Sequence, residues 1–213
     1  MIGAGVIGGG NPPDWASPLT TPGEQFYHVR VVMGIVIGLG LTRLLNGTSR
    51  FVQHPRRQAV YLVHLGWVGW TMLLMVHFWW WQFWLAATPR WTFGVYLFVI
   101  AYVVLLFLLC TFLYPDDLSD YAGYKDFFLS RRRWFFGLVA ATFVFDFVDT
   151  LLKGAEHYAI FNDEYLVRLP VCLVLCAIAI ATRNRWFHGG FVVASLVYEV
   201  SWIFRFFDRL TPS

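Results

Sequence analysis

Six long apolar stretches constrain the fold of this chain more than any other feature of its sequence. Each is long enough, or nearly so, to cross about 30 Å of hydrocarbon as an α-helix. Backbone polar groups inside a bilayer must be paired within the protein, and the sequence lacks the alternating pattern of a membrane β-barrel, so six helices are expected. The predicted helices cover Phe26–Gly47, Ala59–Ala86, Trp91–Tyr114, Trp134–Lys153, Tyr165–Thr182 and Trp186–Phe207.

The composition also favours a membrane environment. Hydrophobic residues make up 58% of the 213 residues and charged residues only 14%, whereas a soluble domain carries about 25% charged residues. The net charge of +3 is small and shows no basic patch, so we expect no nucleic-acid partner. We predict an all-α protein of the bacterial inner membrane, with a Gly/Pro-rich N-terminal segment at 1–25, a transmembrane domain at 26–207 and a short tail at 208–213.

The distribution of lysine and arginine predicts the orientation. The clusters at Arg56–Arg57 and Arg131–Arg133 fall on the same side of the six predicted helices. Cytoplasmic loops of inner-membrane proteins carry the excess of positive charge. Both termini are therefore predicted to lie outside the cytoplasm.

The stretch "YPDDLSDYAGYKDFFLSRRR", between the third and fourth predicted helices, has an amphipathic pattern. In a helix, Leu118, Tyr121, Ala122, Phe128 and Leu129 would share one face. We predict a short amphipathic helix on the cytoplasmic surface, with the arginines against anionic lipid. A solvated loop is the alternative, because so short a helix is marginal in isolation.

Tryptophans concentrate at the outer end of the second predicted helix. Trp79–Trp81, Trp84 and Trp91 lie there, and Trp134 and Trp186 mark inner helix ends. Indole rings favour the membrane–water interface, which predicts aromatic belts. Consecutive residues of a helix point about 100° apart, so at least one of the three adjacent tryptophans must face protein. An aromatic-lined pocket is therefore a second interpretation.

Two short motifs resemble each other. "LTRLLNG" at 41–47 and "VDTLLKG" at 148–154 fall at the ends of the first and fourth predicted helices. The first three and the last three predicted helices would then be two related halves. Because each half has an odd number of helices, the halves would have opposite orientations, as in the 3+3 inverted repeats of transporters. Similar helix ends without common ancestry would give the same pattern.

The fourth predicted helix carries a polar stripe. Thr142, Asp146, Asp149 and Lys153 are spaced i, i+4, i+7 and i+11, which places them on one helical face. An aspartate near the middle of a bilayer costs about 2.5–3.5 kcal/mol on insertion scales. The stripe must therefore face other helices or water.

A second acidic residue is predicted at the same depth. Glu199 follows Trp186 in the sixth helix much as Asp146 follows Trp134 in the fourth, and both helices run in the same direction. We expect these two carboxylates to approach each other in the outer half of the membrane. The basic and imidazole side chains predicted in the same region are His77, Arg30, Arg168 and Arg205.

These residues predict a polar cavity that binds a cation or relays a proton, in an ion or proton channel or a small transporter rather than an enzyme. The alternative is an accessory membrane subunit in which the same charges only hold the bundle together. We expect no cofactor and no metal site. The expected partners are membrane lipids and a second copy or another membrane subunit.

A haem- or quinone-linked redox subunit is a third interpretation. His64 and His77 lie thirteen residues apart on the second helix, a spacing that can ligate two haems. No second helix carries a matching pair. Cys110, Cys172 and Cys176 lie in apolar runs and are predicted to be core residues rather than metal ligands or disulfides.

The motifs "GIVIGLGLTRLLNG", "YPDDLSDYAGYKDFF" and "RRRWFF" together resemble small uncharacterised bacterial polytopic membrane proteins. The resemblance covers most of the first four predicted helices. It implies no activity, ligand or catalytic residue.

Overall fold

The computed structural model describes residues 22–54, 59–87 and 91–206, and all of its regular structure in these ranges is helical. Six helices are long and apolar enough to cross a membrane, which confirms the predicted all-α membrane class. They are α1 (Pro22–Gln53), α2 (Leu62–Trp81), α3 (Phe93–Thr111), α4 (Tyr124–Leu152), α5 (Ala155–Ala181) and α6 (Arg185–Phe206).

The helix ends differ from the predicted ones, most of all at the starts of α4 and α5, which lie ten residues earlier than predicted. A 3-10 helix, Gln82–Ala87, continues α2. α1 begins at Pro22, so the last residues of the predicted N-terminal segment 1–25 are helical. The rest of that segment and the predicted tail at 208–213 lie outside the described residues.

The predicted amphipathic helix between α3 and α4 is not a separate element. Residues 112–123 form turns and bends, and α4 begins directly after Gly123, whose φ of 140° favours glycine. Phe127 and Phe128 are 4% and 1% exposed. They pack into the protein core rather than onto a lipid surface, and the arginines at 131–133 lie on α4 itself.

The helices alternate in direction, so their ends gather at two poles. The end where α2 and α6 finish and α5 begins is called here the carboxylate end, and the opposite end is the arginine end. At the carboxylate end Trp81 contacts His157 and Phe161. At the arginine end the Nη2 atom of Arg43 lies 2.8 Å from Oδ1 of Asp116.

Helix packing is uneven around the bundle. α4 and α5 form an antiparallel hairpin through Gly154, whose φ of 108° favours glycine. α1 packs mainly on α3, and α2 lies centrally, against α1, α3, α4 and α6. α5 and α6 meet over only a short stretch, so a groove remains between them.

The two similar motifs occupy different structural positions. Gly47 lies inside α1, where a Cβ atom would come within 2.3 Å of the Tyr114 ring. Gly154 instead follows α4 and forms the turn into α5. The halves also pack differently, because α1 packs mainly on α3, whereas α4 packs on α5.

The outer surface of the bundle is apolar, as expected for contact with lipid. Trp134 and Trp186, near the arginine end, are 65% and 76% exposed, as an aromatic belt requires. Among the three consecutive tryptophans, Trp80 is 41% exposed, whereas Trp81 packs against His77 and His157. The prediction that at least one of them faces protein is confirmed.

A layer of aromatic side chains fills the middle of the bundle. Trp67 is fully buried, and its ring centroid lies 5.2–5.4 Å from those of four neighbouring rings. This aromatic layer consists of Trp67, Trp70, Phe135, Phe136 and Phe191. It separates the polar residues of the carboxylate end from the arginine end.

Candidate functional site

A small polar cavity of about 40 Å³ lies between α2, α4, α5 and α6 at the carboxylate end. One buried water needs roughly 10–15 Å³ of such space, so the cavity is large enough for a few water molecules or a small ion. Its lining is unusually rich in ionisable groups for a membrane-spanning bundle. They are Asp146, Asp149, Glu199, Lys153, Arg168, His77 and His157.

His77 and Glu199 join α2 to α6 at this cavity. Nδ1 of His77 is hydrogen-bonded to Oε1 of Glu199, and the two side chains are 12% and 4% exposed. The Nε2 atom of His77 is buried without a hydrogen-bond partner among the described residues. An imidazole held through one nitrogen, with the other available, can accept a proton on one side and release it on the other.

Asp146 is paired with Arg168 of α5. Nη1 of Arg168 lies 3.2 Å from Oδ2 of Asp146, and the hydroxyl of Tyr165 donates to the same oxygen at 2.8 Å. Four aromatic rings surround the guanidinium, with centroids 5.0–5.8 Å from its central carbon. These contacts hold a permanent ion pair in the wall of the cavity.

Asp149 is neutralised within its own helix. Nζ of Lys153, four residues later, donates to Oδ2 of Asp149 at 2.5 Å, and both side chains are almost fully buried. Nε2 of Gln82 approaches the two carboxylate oxygens at 3.4 and 3.5 Å. The polar stripe of α4 therefore faces the protein interior, as the cost of exposing aspartate to lipid requires.

The net charge of the ionisable residues around the cavity depends on one proton, that of His77. Three carboxylates face two permanent cations, Lys153 and Arg168. Burial, with the nearby charge of Lys153, lowers the pKa of His157 to about 4, so His157 is neutral at pH 7. The cluster is therefore neutral when His77 carries a proton and has a charge of −1 when it does not.

Three buried polar atoms at the cavity have no hydrogen-bond partner among the described residues. They belong to residues that line it, and are Nε2 of His77, Oε1 of Gln82 and Nδ1 of His157. Buried polar groups are almost always satisfied, by protein or by ordered water. A cavity of this volume with several such groups is suited to bind water.

The structure brings five of the seven predicted site residues together and corrects the prediction for the other two. Arg30 lies outside the cavity, with its guanidinium 4.2 Å from the Phe83 ring centroid. Arg205 binds Glu164 at 2.7 and 3.0 Å on the rim between α5 and α6. Asp146 and Glu199 do not form an acidic pair, because each is bound to its own base.

Several residues of the site were missed in the sequence. Glu164 has an i, i+4 acid–base spacing with the predicted Arg168 on α5, although each of them pairs with a residue of another helix. His157 lies between the predicted fourth and fifth helices, but it is buried in the first turn of α5. Gln82 gave no signal, because its position depends on the change from α-helix to 3-10 helix.

His64, one of the two histidines of the haem interpretation, is already bound within the protein. Nε2 of His64 lies 2.6 Å from the carbonyl oxygen of Leu113, and its ring stacks on Tyr124. No group of three or more metal-binding side chains occurs in the part of the chain that the structure describes.

No family model, curated protein or solved structure matches the chain. Its function therefore has to be inferred from the cavity itself.

The pKa of His157 predicts acid sensitivity. The folded-state pKa of about 4 lies below the ordinary value of 6.5, so the unfolded chain binds more protons between these values. This contribution to stability is complete above about pH 6.5 and is lost as the pH falls towards 4. Thermal unfolding in detergent should show a smaller loss of Tm over this range in His157→Gln than in the unmodified protein. The exposed His54 provides a control as His54→Gln, and equal pH dependence in all three proteins would contradict the prediction.

Proposed function

We propose that this protein transfers protons across the membrane as a small transporter, through reversible protonation of the His77–Glu199 pair. The observation that carries the proposal is the hydrogen bond between these residues at a water-sized cavity. Histidine is the side chain whose ordinary pKa places its change of charge near neutral pH.

The other charged residues of the cavity support this role without changing charge themselves. Arg168 and Lys153 are each bound to a carboxylate, at 3.2 and 2.5 Å respectively. Their ion pairs with Asp146 and Asp149 hold the cavity polar. A proton on His77–Glu199 then makes the cluster neutral, and its release leaves one negative charge.

The aromatic layer favours a carrier over an open channel. Trp67, Phe135 and Phe136 are at most 1% exposed and contact one another between the cavity and the arginine end. A conducting pore would need a hydrated gap at this level. Proton passage therefore requires helix movement, for which the short contact between α5 and α6 is suited.

The membrane placement is part of the proposal. The arginine end includes Arg131 and Arg133, near the start of α4, and Arg185, at the start of α6. Under the positive-inside rule this end lies in the cytoplasm of an inner-membrane protein. The cavity then lies in the outer half of the bilayer, with both termini outside.

Proteoliposomes with a trapped pH-sensitive dye test the proposal. Under an imposed membrane potential, we expect faster proton movement with the protein than in protein-free liposomes. Glu199→Gln should abolish the difference because the amide keeps the volume but cannot carry the carboxylate charge that holds a proton on His77. Glu156→Gln, an exposed acid on α5, is the matched control and should keep the wild-type rate.

The accessory-subunit interpretation gives a different result in the same assay. It is favoured by the ion pairs of Asp146 and Asp149, which satisfy buried charges as a structural network would. A folded wild-type protein with the rate of protein-free liposomes, or with the rate of its Glu199→Gln variant, would support that interpretation and contradict proton transfer.

A further inference from the structure

A second, larger cavity opens on the side of the bundle. It is a groove of about 590 Å³ between α5 and α6, within the size range of ligand pockets. On α5 it runs from Asp163 to Leu175, about 18 Å at 1.5 Å per residue. Its walls are almost entirely apolar and include Val167, Val171 and Phe191. The groove therefore offers space for an apolar body that reaches it from the bilayer.

The polar end of the groove meets the proton site. Glu199 and Arg168 line both the groove and the small polar cavity. Glu199 is the hydrogen-bond partner of His77, so a molecule in the groove lies next to the group that carries the transferred proton.

The charge at this end is negative. The groove is lined by Asp163, Glu164 and Glu199, against the single cation Arg168. Asp146 already binds Arg168, and Arg205 binds Glu164 from the rim. Four carboxylates thus face two guanidinium groups, which leaves a charge of −2 when His77 is neutral and −1 when it is protonated.

We propose that the groove binds a lipophilic organic cation, which the protein carries in place of the proton of the His77–Glu199 pair. This inference rests on the proposed function and names its substrate class. The apolar body of the cation would lie between α5 and α6, and its charge would lie at Glu199. The aromatic rings of Trp70, Phe143 and Tyr198 line the same groove and can add cation–π attraction.

The shared carboxylate makes the two ligands compete. When the pair carries a proton, the imidazolium neutralises Glu199 and the net charge that attracts the cation falls from −2 to −1. When the proton leaves, the carboxylate is free to neutralise the cation instead. One positive charge is bound and one proton is released, and linkage requires each ligand to weaken binding of the other.

An anionic lipid is a poorer match for the same groove. Its head group would need a free cation, but the guanidinium of Arg168 is bound to Asp146 and surrounded by four rings. The neighbouring Asp163, Glu164 and Glu199 would repel it. The electrostatics of the groove therefore favour a cationic ligand.

Two probes of the same shape and opposite charge test the inference. Equilibrium dialysis of the full chain in an uncharged detergent would measure binding of tetraphenylphosphonium and of tetraphenylborate. We expect saturable binding of the cation that tightens as protons are removed from the pair, and no saturable binding of the anion. This comparison needs no substitution, so it does not depend on the folding of a variant.

Substitutions then locate the site. Glu199→Gln should weaken tetraphenylphosphonium binding at least tenfold and remove its pH dependence. Val171→Trp should also weaken it, because the indole would fill the groove. Glu156→Gln, with the same change of charge on an exposed part of α5, should bind like the unmodified protein.

The outcomes separate this inference from the proposed function. Absence of saturable cation binding, or equal binding of the anion, would overturn the substrate class. Proton movement in liposomes that still depends on Glu199 would show that the proposed function stands without it. Cation binding with the expected pH dependence, but without proton movement in liposomes, would instead remove the transport role alone.

Discussion

Replacing Asp146 with alanine is expected to lower the free energy of unfolding by about 3 kcal/mol, because the buried guanidinium of Arg168 would lose the half-buried carboxylate that pairs with it. Its partner Arg168 is only 11% exposed, and α5 at this point belongs to a membrane span. The guanidinium would lose its counter-charge, and the Tyr165 hydroxyl would lose the acceptor that it contacts at 2.8 Å. Equilibrium unfolding in mixed micelles would measure the difference.

Two further variants separate the charge from the hydrogen bonds. Asp146→Asn keeps an acceptor for Tyr165 but not the charge, so its loss of stability should be smaller. Asp146→Ala combined with Arg168→Met should recover much of the loss, because the unpaired cation is then removed. An Asp146→Ala protein as stable as the parent would show that Arg168 finds solvent or another partner.

The exposed ion pair between α5 and α6 is the matched control. Arg205 is 45% exposed, against 11% for Arg168, whereas the two carboxylates are similarly half-buried, at 25% and 30%. Pairs of this kind contribute about 0–1 kcal/mol because water and side-chain entropy offset the attraction. Glu164→Gln should therefore cost far less than Asp146→Ala in the same unfolding measurement.

The end of the bundle at which the site residues gather could be predicted from the sequence. Spacing along α4 was sufficient to place Asp146 and Asp149 on one interior face, because a lipid-facing aspartate is too costly. Counting from Trp134 and Trp186 also placed Asp146 and Glu199 at the same end of the bundle. Depth follows from the fixed rise of a helix, which a sequence states directly.

The pairing of these residues could not be predicted, because it depends on helix rotation and on which helices are neighbours. Arg168 of α5 reaches Asp146 because α4 and α5 form a hairpin, and Glu199 meets His77 because α6 packs on α2. Arg30 had the expected depth, but α1 turns it towards Trp79 and Phe83. Charge and spacing alone do not distinguish these arrangements.

The start of α4 shows a second limit. The apolar spacing around Phe127 and Phe128 fits both a surface helix and the first turns of a core helix. Packing decides between them, because the Phe128 ring contacts His64, Phe135 and His188 inside the bundle. Contacts with residues distant in sequence therefore set this boundary, and a local pattern could not.

Trp67→Ala is expected to destabilise the protein by about 3–5 kcal/mol, the usual range for truncating a buried tryptophan. Trp67 is fully buried and contacts the four other rings of the aromatic layer. Unfolding in mixed micelles would measure the loss. Trp134→Ala, at a residue that is 65% exposed, should cost much less. Equal losses in the two variants would contradict the buried position of Trp67.

The same variant tests whether the aromatic layer limits proton movement. Removing the indole leaves a space next to the rings that separate the polar cavity from the arginine end. If this layer is the barrier, Trp67→Ala should raise proton movement in liposomes, and the increase should no longer depend on Glu199. Trp67→Phe, which refills most of the space, should restore the dependence on Glu199. An unchanged rate of proton movement in a folded Trp67→Ala protein would mean that the aromatic layer is not the barrier. Access to the His77–Glu199 pair would then be controlled elsewhere, at the contact between α5 and α6.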